Sequence, residues 1–343
     1  MERIILKGRF RECQIFIGAS VESIRGHLPG SQVYIVTDDN VHSLYGGLFP
    51  GFPVYVLKAG EESKTLGSAA DICKWLMDQG AGRDAFLLGI GGGMVCDITG
   101  FVASIFMRGI GFGFVASSLL AQVDASIGGK NGVNLEGFKN MMGTFNQPHF
   151  VLCDTSMLHT LPKAELQNGL AEVVKHTLIS DKKMFMTIRE HIHPILELDV
   201  EWINKLVAHS VKAKSEIVRR DELEQGERRK LNLGHTWGHA VEKTDGIAHG
   251  QAVSIGLAFA ARFSEHKGLL SAEEVSLILG LLTSLGLPVK TETDPEKVFR
   301  VLVKDKKKES GHIHFVLMNG IGDVLVERIP LDELKQFALT RAH

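Results

Sequence analysis

The stretch AFLLGIGGGMVCDITGF at 85–101 decides how the chain begins. Ala85–Ile90 is a short apolar run of strand length, Gly89–Gly93 is glycine-rich, and a helical pattern follows from Met94. Glycines at a strand-to-helix turn let backbone N–H groups approach a phosphate, and the helix dipole favours the anion. Met94 stands where a GxGxxG pattern would carry its last glycine, and no acidic residue lies about 20 positions on. The turn alone therefore fits either a nucleotide site or a structural turn.

Further short apolar runs lie outward from it, at Gln32–Thr37, Pro53–Leu57, Gly113–Ala116 and His149–Asp154. A helical pattern over Lys64–Gln79 places Ala69, Ala70, Ile72, Trp75 and Leu76 on a 3.6 period. Strands alternating with helices predict a parallel sheet with crossover helices. After Pro162 the pattern changes to amphipathic helices, Lys163–Ile179, Glu201–Arg219, Leu231–Lys243, Ala252–His266 and Ala272–Leu285. The expected architecture is an α/β domain at 1–158 followed by a mostly helical domain at 159–343, and small-molecule sites favour the cleft between such domains.

Composition narrows the function classes. The chain has 343 residues, 44% apolar and 23% charged, which is ordinary for a folded globular protein and excludes disorder. A net charge of −2 offers no basic field for nucleic acid or an anionic membrane. The 37 glycines exceed the roughly 24 of average usage, which points to tight turns and close backbone approach. Residues 85–123 carry only Asp97 and Arg108 as charges, but glycines and those charges break the region before it reaches the length of a membrane span. The start, MERIILKGRF, has no apolar core of signal-peptide length. Cys13, Cys73, Cys96 and Cys153 are widely spaced and read as reduced thiols, so a cytoplasmic location is expected.

Two polar constellations carry chemistry. After Arg108, the segment from Ser117 to Asn140 gathers Ser117, Ser118, Gln122, Asp124, Ser126, Lys130, Asn131, Lys139 and Asn140, with Gly128 and Gly129 before Lys130. Lysines beside open backbone suit a phosphate. In the second half, Arg228, Asn232, His235 and His239 are spaced by four, three and four, which predicts one polar stripe on a single helix. Gly234 and Gly238 each weaken a helix by about 1 kcal/mol relative to Ala, so something must approach closely there. His235, His239 and His249, with Glu172 from another helix, suit a catalytic zinc site of three protein ligands and one open position. Spacing leaves open which of His235 and His239 is the ligand. The runs 219–230 and 304–308 read as solvated charge.

The segments GIGGGMVCDITGF, RGIGF, SSLLAQVDASIGGKNGVN, GFKNMMGTF, GLAEVVKH, LNLGHTWGHAVE and HGQAVSIG resemble, in this order, the 3-dehydroquinate synthases of the sugar phosphate cyclase family. The likeness runs from TDDN at 37–40 and GEESK at 60–64 to DKK at 305–307. It implies conversion of 3-deoxy-D-arabino-heptulosonate 7-phosphate to 3-dehydroquinate and phosphate, with NAD recycled and Zn2+ or Co2+ bound. It implies Glu172, His235 and His249 as metal ligands. The implied NAD residues are Asp38, Glu61, Lys64, Gly93, Asp97, Ser117, Ser118, Lys130, Lys139 and Thr160. Asp124 and Lys130 would lie between cofactor and substrate. Asn140, Lys175, Lys214, Arg228, Asn232 and Lys306 would hold the substrate, and His239 would stand near its phosphate. Arg108 would reach in from a second subunit, which implies a homodimer. Ala116, Ser117-Ser118, Asn131 and Trp237 depart from the usual family residues. Cyclases acting on sedoheptulose 7-phosphate or glucose 6-phosphate are the nearest alternatives, followed by a metal-dependent polyol dehydrogenase.

Overall fold

The computed structural model describes residues 1–9, 11–30, 32–136, 138–306 and 311–341. The chain forms two compact units, Met1–Leu161 with Val200–Leu223, and Pro162–Asp199 with Glu224–His343.

The first unit is built on a seven-stranded sheet. Its strands are β1 (Glu2–Lys7), β2 (Glu12–Ile17), β3 (Val33–Asp38), β4 (Val54–Leu57), β5 (Phe86–Gly91), β6 (Gly111–Ala116) and, after a hairpin, β9 (Phe150–Cys153). The order is β1-β2-β9-β6-β5-β3-β4, and only β1 is antiparallel to its neighbour. β3 and β5 are buried along their whole length, as strands covered on both faces must be. Ile35, Leu88, Ile90, Val115 and Leu152 form the centre of the core. The helices α1 (Asp39–Tyr45), α2 (Leu66–Asp78) and α3 (Gly93–Ile105) make the crossovers. From β3 the chain moves outward to β4, whereas from β5 it moves the other way to β6. The carboxyl ends of β3 and β5 therefore flank a topological switch point, where open α/β sheets bind ligands. The hairpin β7 (Lys130–Leu135) and β8 (Phe138–Phe145) and the strands β1 and β2 were not expected. Glycine, lysine and asparagine interrupt the alternation in the hairpin, which hides its period.

The second unit starts with α4 (Lys163–Ser180), α5 (Lys182–Glu190) and α6 (Ile192–Leu196). The next helix, α7 (Val200–Arg220), belongs to the first unit. Thr155 donates to Asn204 Oδ1 at 3.0 Å, and Lys214 pairs with Asp124 at 2.8 Å. The single boundary expected at 158/159 is thus replaced by three crossings, because a helix's partner is chosen by its buried face and not by its place in the chain. The second unit continues with α8 (His235–Asp245), α9 (His249–His266), α10 (Ala272–Ser284), α11 (Pro295–Lys306), the antiparallel pair β10 (His312–Met318) and β11 (Val324–Pro330), and α12 (Leu331–Arg341). Among the described residues no helix is long and apolar enough to cross a membrane.

One expected helix is broken. Arg228 and Asn232 lie in a 3-10 turn, Glu227–Asn232, and Gly234 takes φ +77° before α8 starts at His235. The predicted single stripe is therefore two segments. A left-handed φ favours glycine and stops the helix. What approaches the glycines is α9 itself. A Cβ on Gly256 would lie 1.8 Å from the Gly234 carbonyl oxygen, and one on Gly238 would lie 2.7 Å from that of Ala252.

Candidate metal centre and nucleotide site

The candidate metal centre is assembled by three helices whose backbones nearly touch. Glu172 projects from α4, while His235 and His249 are the first residues of α8 and α9. Gly250 allows α9 to reach α4, since a Cβ there would stand 2.3 Å from Asn168 Cα, and the Gly250 N–H donates to Asn168 Oδ1 at 3.0 Å. Glu172 is fully buried, and its Oε1 lies 3.4 Å from His235 Nε2 and 3.5 Å from His249 Nε2. The three ligand atoms all fall within 4.8 Å of one another. Zinc bonds of 2.0–2.1 Å in tetrahedral geometry place ligand atoms about 3.4 Å apart. The donor set, one carboxylate and two imidazoles, is that of a three-ligand catalytic zinc, and the spacing fits the ion.

The far side of each ring is held as well. His235 Nδ1 lies 3.1 Å from the Leu233 carbonyl oxygen, and His249 Nδ1 lies 3.2 Å from Glu242 Oε2. Such partners set which ring nitrogen is free for a metal. Burial, reinforced by the Lys175 cation, pushes His235 well below its ordinary pKa. Burial also acts to lower His249, but the Glu172 and Glu242 carboxylates outweigh it and raise the ring to about 9. Lys175 Nζ contacts Glu172 Oε2 from one turn along α4, at the i,i+3 spacing. His239 is exposed one turn beyond His235, with ring centroids 5.1 Å apart. It forms a second group of ligand-type atoms with Glu242 and His249. Arg228 is buried, and Asn232 donates to Glu224 Oε1 at 2.8 Å. The Lys306 side chain lies outside the described residues, as do Lys307 and Lys308.

In the first unit, the sheet's carboxyl ends gather the other candidates. Asp38 ends β3 and caps α1, accepting from Val41 N at 2.9 Å, and burial raises its pKa. Gly93 opens α3, whose N-cap is Gly92. Ser117 and Ser118 follow β6. The glycine run divides by role. A Cβ on Gly89 would meet Thr99 and Phe114, and one on Gly91 would meet Val95 at 2.6 Å, so these two let α3 lie against β5. At Gly92 the closest atom would be Ser118 Oγ at 3.4 Å, which leaves the helix mouth accessible.

Lys64 is a buried hub. Its Nζ lies 2.5 Å from Asp97 Oδ2, 2.6 Å from Asn140 Oδ1 and 3.8 Å from Glu61. Burial raises the Asp97 pKa, while Lys64 acts against that rise. Asp124 sits in a π-helical turn, Ala121–Ala125, a form frequent at functional sites. Lys214 Nζ donates to its Oδ1 at 2.8 Å and its carbonyl at 2.7 Å. Lys130 and Lys139 are exposed on the hairpin, and Asn140 has φ +53°. Thr160 Oγ1 is 2.7 Å from the Tyr45 hydroxyl. Arg108 is exposed with φ +71°, directly after Met107 at φ +49°.

Residues 54–168 match the model of the 3-dehydroquinate synthase N-terminal domain, and residues 169–308 match that of its C-terminal domain. A curated 3-dehydroquinate synthase from Acidithiobacillus ferrooxidans is 41% identical over 307 residues, which cover 86% of this chain and 84% of the relative. The chain belongs to the 3-dehydroquinate synthase family. Among solved structures, 2-epi-5-epi-valiolone synthase from Streptomyces hygroscopicus subsp. jinggangensis, with NAD+ and Zn2+ bound, superposes with a TM-score of 0.88 at 26% identity over 96% of each chain. 2-Deoxy-scyllo-inosose synthase, complexed with carbaglucose-6-phosphate, NAD+ and Co2+, gives 0.86 at 24% identity over 98% of this chain and 99% of that one, a likeness of fold.

Three of the residues expected to depart from the usual family pattern, Asn131, Trp237 and Ala116, are packed in the interior. Asn131 is buried, donates to the Gly129 and Asn146 carbonyls, and fills the space over Gly100, where a Cβ would stand 2.0 Å from its Oδ1. Trp237 is buried and stacks on Phe259 at 4.2 Å. Ala116 is buried at the end of β6, its carbonyl accepting from Gln122 Nε2. Sequence reasoning missed Glu242, Asn168 and Asn134. Glu242 shares a helix face with His239 at i,i+3, a signal that was available. Asn168 and Asn134 act through contacts with segments far off in the chain, which no spacing announces.

Proposed function

We propose that this chain is a 3-dehydroquinate synthase, converting 3-deoxy-D-arabino-heptulosonate 7-phosphate to 3-dehydroquinate and phosphate. The observation that supports it most is the convergence of Glu172, His235 and His249, with the carboxylate 3.4–3.5 Å from each imidazole, close to the spacing of ligand atoms on a tetrahedral ion. NAD supplies a reversible hydride acceptor, and zinc or cobalt supplies Lewis acidity toward substrate oxygens. Glu172, His235 and His249 would hold the ion, and burial with the nearby Lys175 cation favours the neutral form of His235. Asp38, Glu61, Lys64, Gly93, Asp97, Ser117, Ser118, Lys130, Lys139 and Thr160 would hold the dinucleotide, and the glycine turn before α3 suits an anion.

Lys175, Lys214, Arg228, Asn140, Asn232 and Lys306 bind the substrate, with Arg228 and Lys214 suited to its carboxylate. Oxidation beside a C–H bond acidifies that proton, so phosphate can leave. Cations then stabilise the departing charge, and His239 is placed to move a proton near it. Asp124, anchored by Lys214, orients groups between cofactor and substrate. With the hydride returned by the bound cofactor, ring opening and an intramolecular aldol would complete the reaction.

Arg108 acts from a second copy of the chain in a homodimer. Ile105 and Met107 are exposed beside it, and the hairpin that adds exposed Met141 and Phe145 is tied to α3 by Thr144, which donates to Ser104 Oγ at 3.1 Å. The four cysteines are free thiols, which suits the cytoplasm. The test supplies purified protein with NAD, zinc and the heptulosonate phosphate. Phosphate and 3-dehydroquinate form in equal amounts without NADH accumulation. Net NADH would indicate a dehydrogenase, and preferred turnover of sedoheptulose 7-phosphate or glucose 6-phosphate would indicate another cyclase.

A further inference from the structure

The Gly132-Val133-Asn134 segment ends in a residue that no step above uses. Asn134 sits at an irregularity of the hairpin: Val133 pairs with Met142 and Leu135 with Phe138, and the register shifts between them. Such bulges re-aim a side chain and recur beside active sites. Here the bulge frees Asn134 from its hairpin partner and turns it toward the 60–65 loop. Its backbone N–H donates to the Lys64 carbonyl at 2.9 Å, and it forms an isolated parallel bridge with Thr65. Its side-chain amide is used at both ends. Nδ2 donates to Glu61 Oε1 at 2.9 Å, and Oδ1 accepts from the Asn140 N–H at 2.9 Å. Asn140, held in a left-handed conformation, in turn accepts from Lys64 Nζ at 2.6 Å.

We infer that Asn134 is a positioning residue that locks the dinucleotide loop and the substrate-binding hairpin into one unit. The inference rests on the proposed roles of Glu61, Lys64 and Asn140. One end of a single amide orients the Glu61 carboxylate, and the other fixes the backbone of Asn140. Glu61 is exposed and its other partner, Lys64 Nζ, lies 3.8 Å away, so Asn134 supplies its closer donor. Asparagine suits this place because it offers a donor and an acceptor on one short, rigid head. Aspartate keeps the acceptor for Asn140, loses the donor, and sets a like charge against Glu61.

The experiment measures NAD+ affinity by titration of the full-length chain in wild type, Asn134→Asp, Glu61→Gln and Asn134→Asp with Glu61→Gln. Zinc affinity is read in parallel as a check that the second unit is intact. Asn134→Asp weakens NAD+ binding about tenfold or more, the scale of a lost charge-assisted hydrogen bond. The double variant restores an amide–carboxylate pair with the roles exchanged, so it binds NAD+ more tightly than Asn134→Asp alone. A residue needed only for folding would show no such reciprocal rescue. Wild-type NAD+ affinity in Asn134→Asp, or a double variant no better than additive, overturns the inference. A wild-type chain that binds no NAD+ would instead overturn the proposed function.

Discussion

Gly238→Ala sets helix propensity against packing. In isolation the change favours α8 by about 1 kcal/mol. In the protein the new methyl would stand 2.7 Å from the Ala252 carbonyl oxygen, 3.1 Å from its carbon and 3.3 Å from Val253 Cα. All three are backbone atoms, so no rotamer change relieves the overlap. Ordinary contact begins at 3.4 Å, so α8 and α9 must part by about 0.7 Å, with a strain of about 1–3 kcal/mol. Packing therefore wins, and the expected net loss is about 1 kcal/mol. The metal centre suffers more. His235 opens α8 and His249 opens α9, and a metal site tolerates about 0.2 Å of ligand displacement. Denaturant unfolding of the zinc-free protein and zinc competition against a chromophoric chelator read the two effects. Gly280→Ala is the control, because it lies in α10 with nothing within 4 Å of its new methyl, and it should stabilise by about 1 kcal/mol. A Gly238→Ala protein as stable as wild type, with unchanged zinc affinity, would refute the reasoning.

Glu242→Gln removes the carboxylate behind His249 and should weaken zinc about 10- to 100-fold, measured by the same competition, while NAD+ affinity stays unchanged. Lys64→Met leaves the largely buried Asp97 carboxyl without its cation, so unfolding should become easier by about 1–3 kcal/mol and NAD+ affinity should fall. Glu172→Gln should abolish zinc binding and phosphate release, with circular dichroism unchanged. Arg108→Ala and Glu172→Gln proteins, each inactive, should recover part of the wild-type rate when mixed and allowed to exchange subunits. Mixtures that remain inactive despite exchange would remove Arg108 from the neighbouring site.

The parallel strands and their crossover helices were legible because buried strands must be apolar throughout and helices must show a 3.6 period. The strand Ala85–Ile90 and the helix after the glycine turn needed nothing beyond that. Residue type also limited the metal chemistry, since histidine and glutamate together are the ordinary zinc donors. Local pattern could not show that Gly234 breaks the expected helix, because its cause is a neighbouring helix, Leu257 and Gly256 included, lying against that one position. Nor could it show that α7 packs with the earlier domain, or that an amide at Asn134 bridges two loops.

The sequence by itself determined the class of fold, the supply of ligand types and the family. Tertiary structure alone decided which atoms meet, because the 3.4 Å gap between Glu172 and His235 is set by helices brought together through Gly238, Gly250 and Gly256, a spatial relation between segments far apart in the chain.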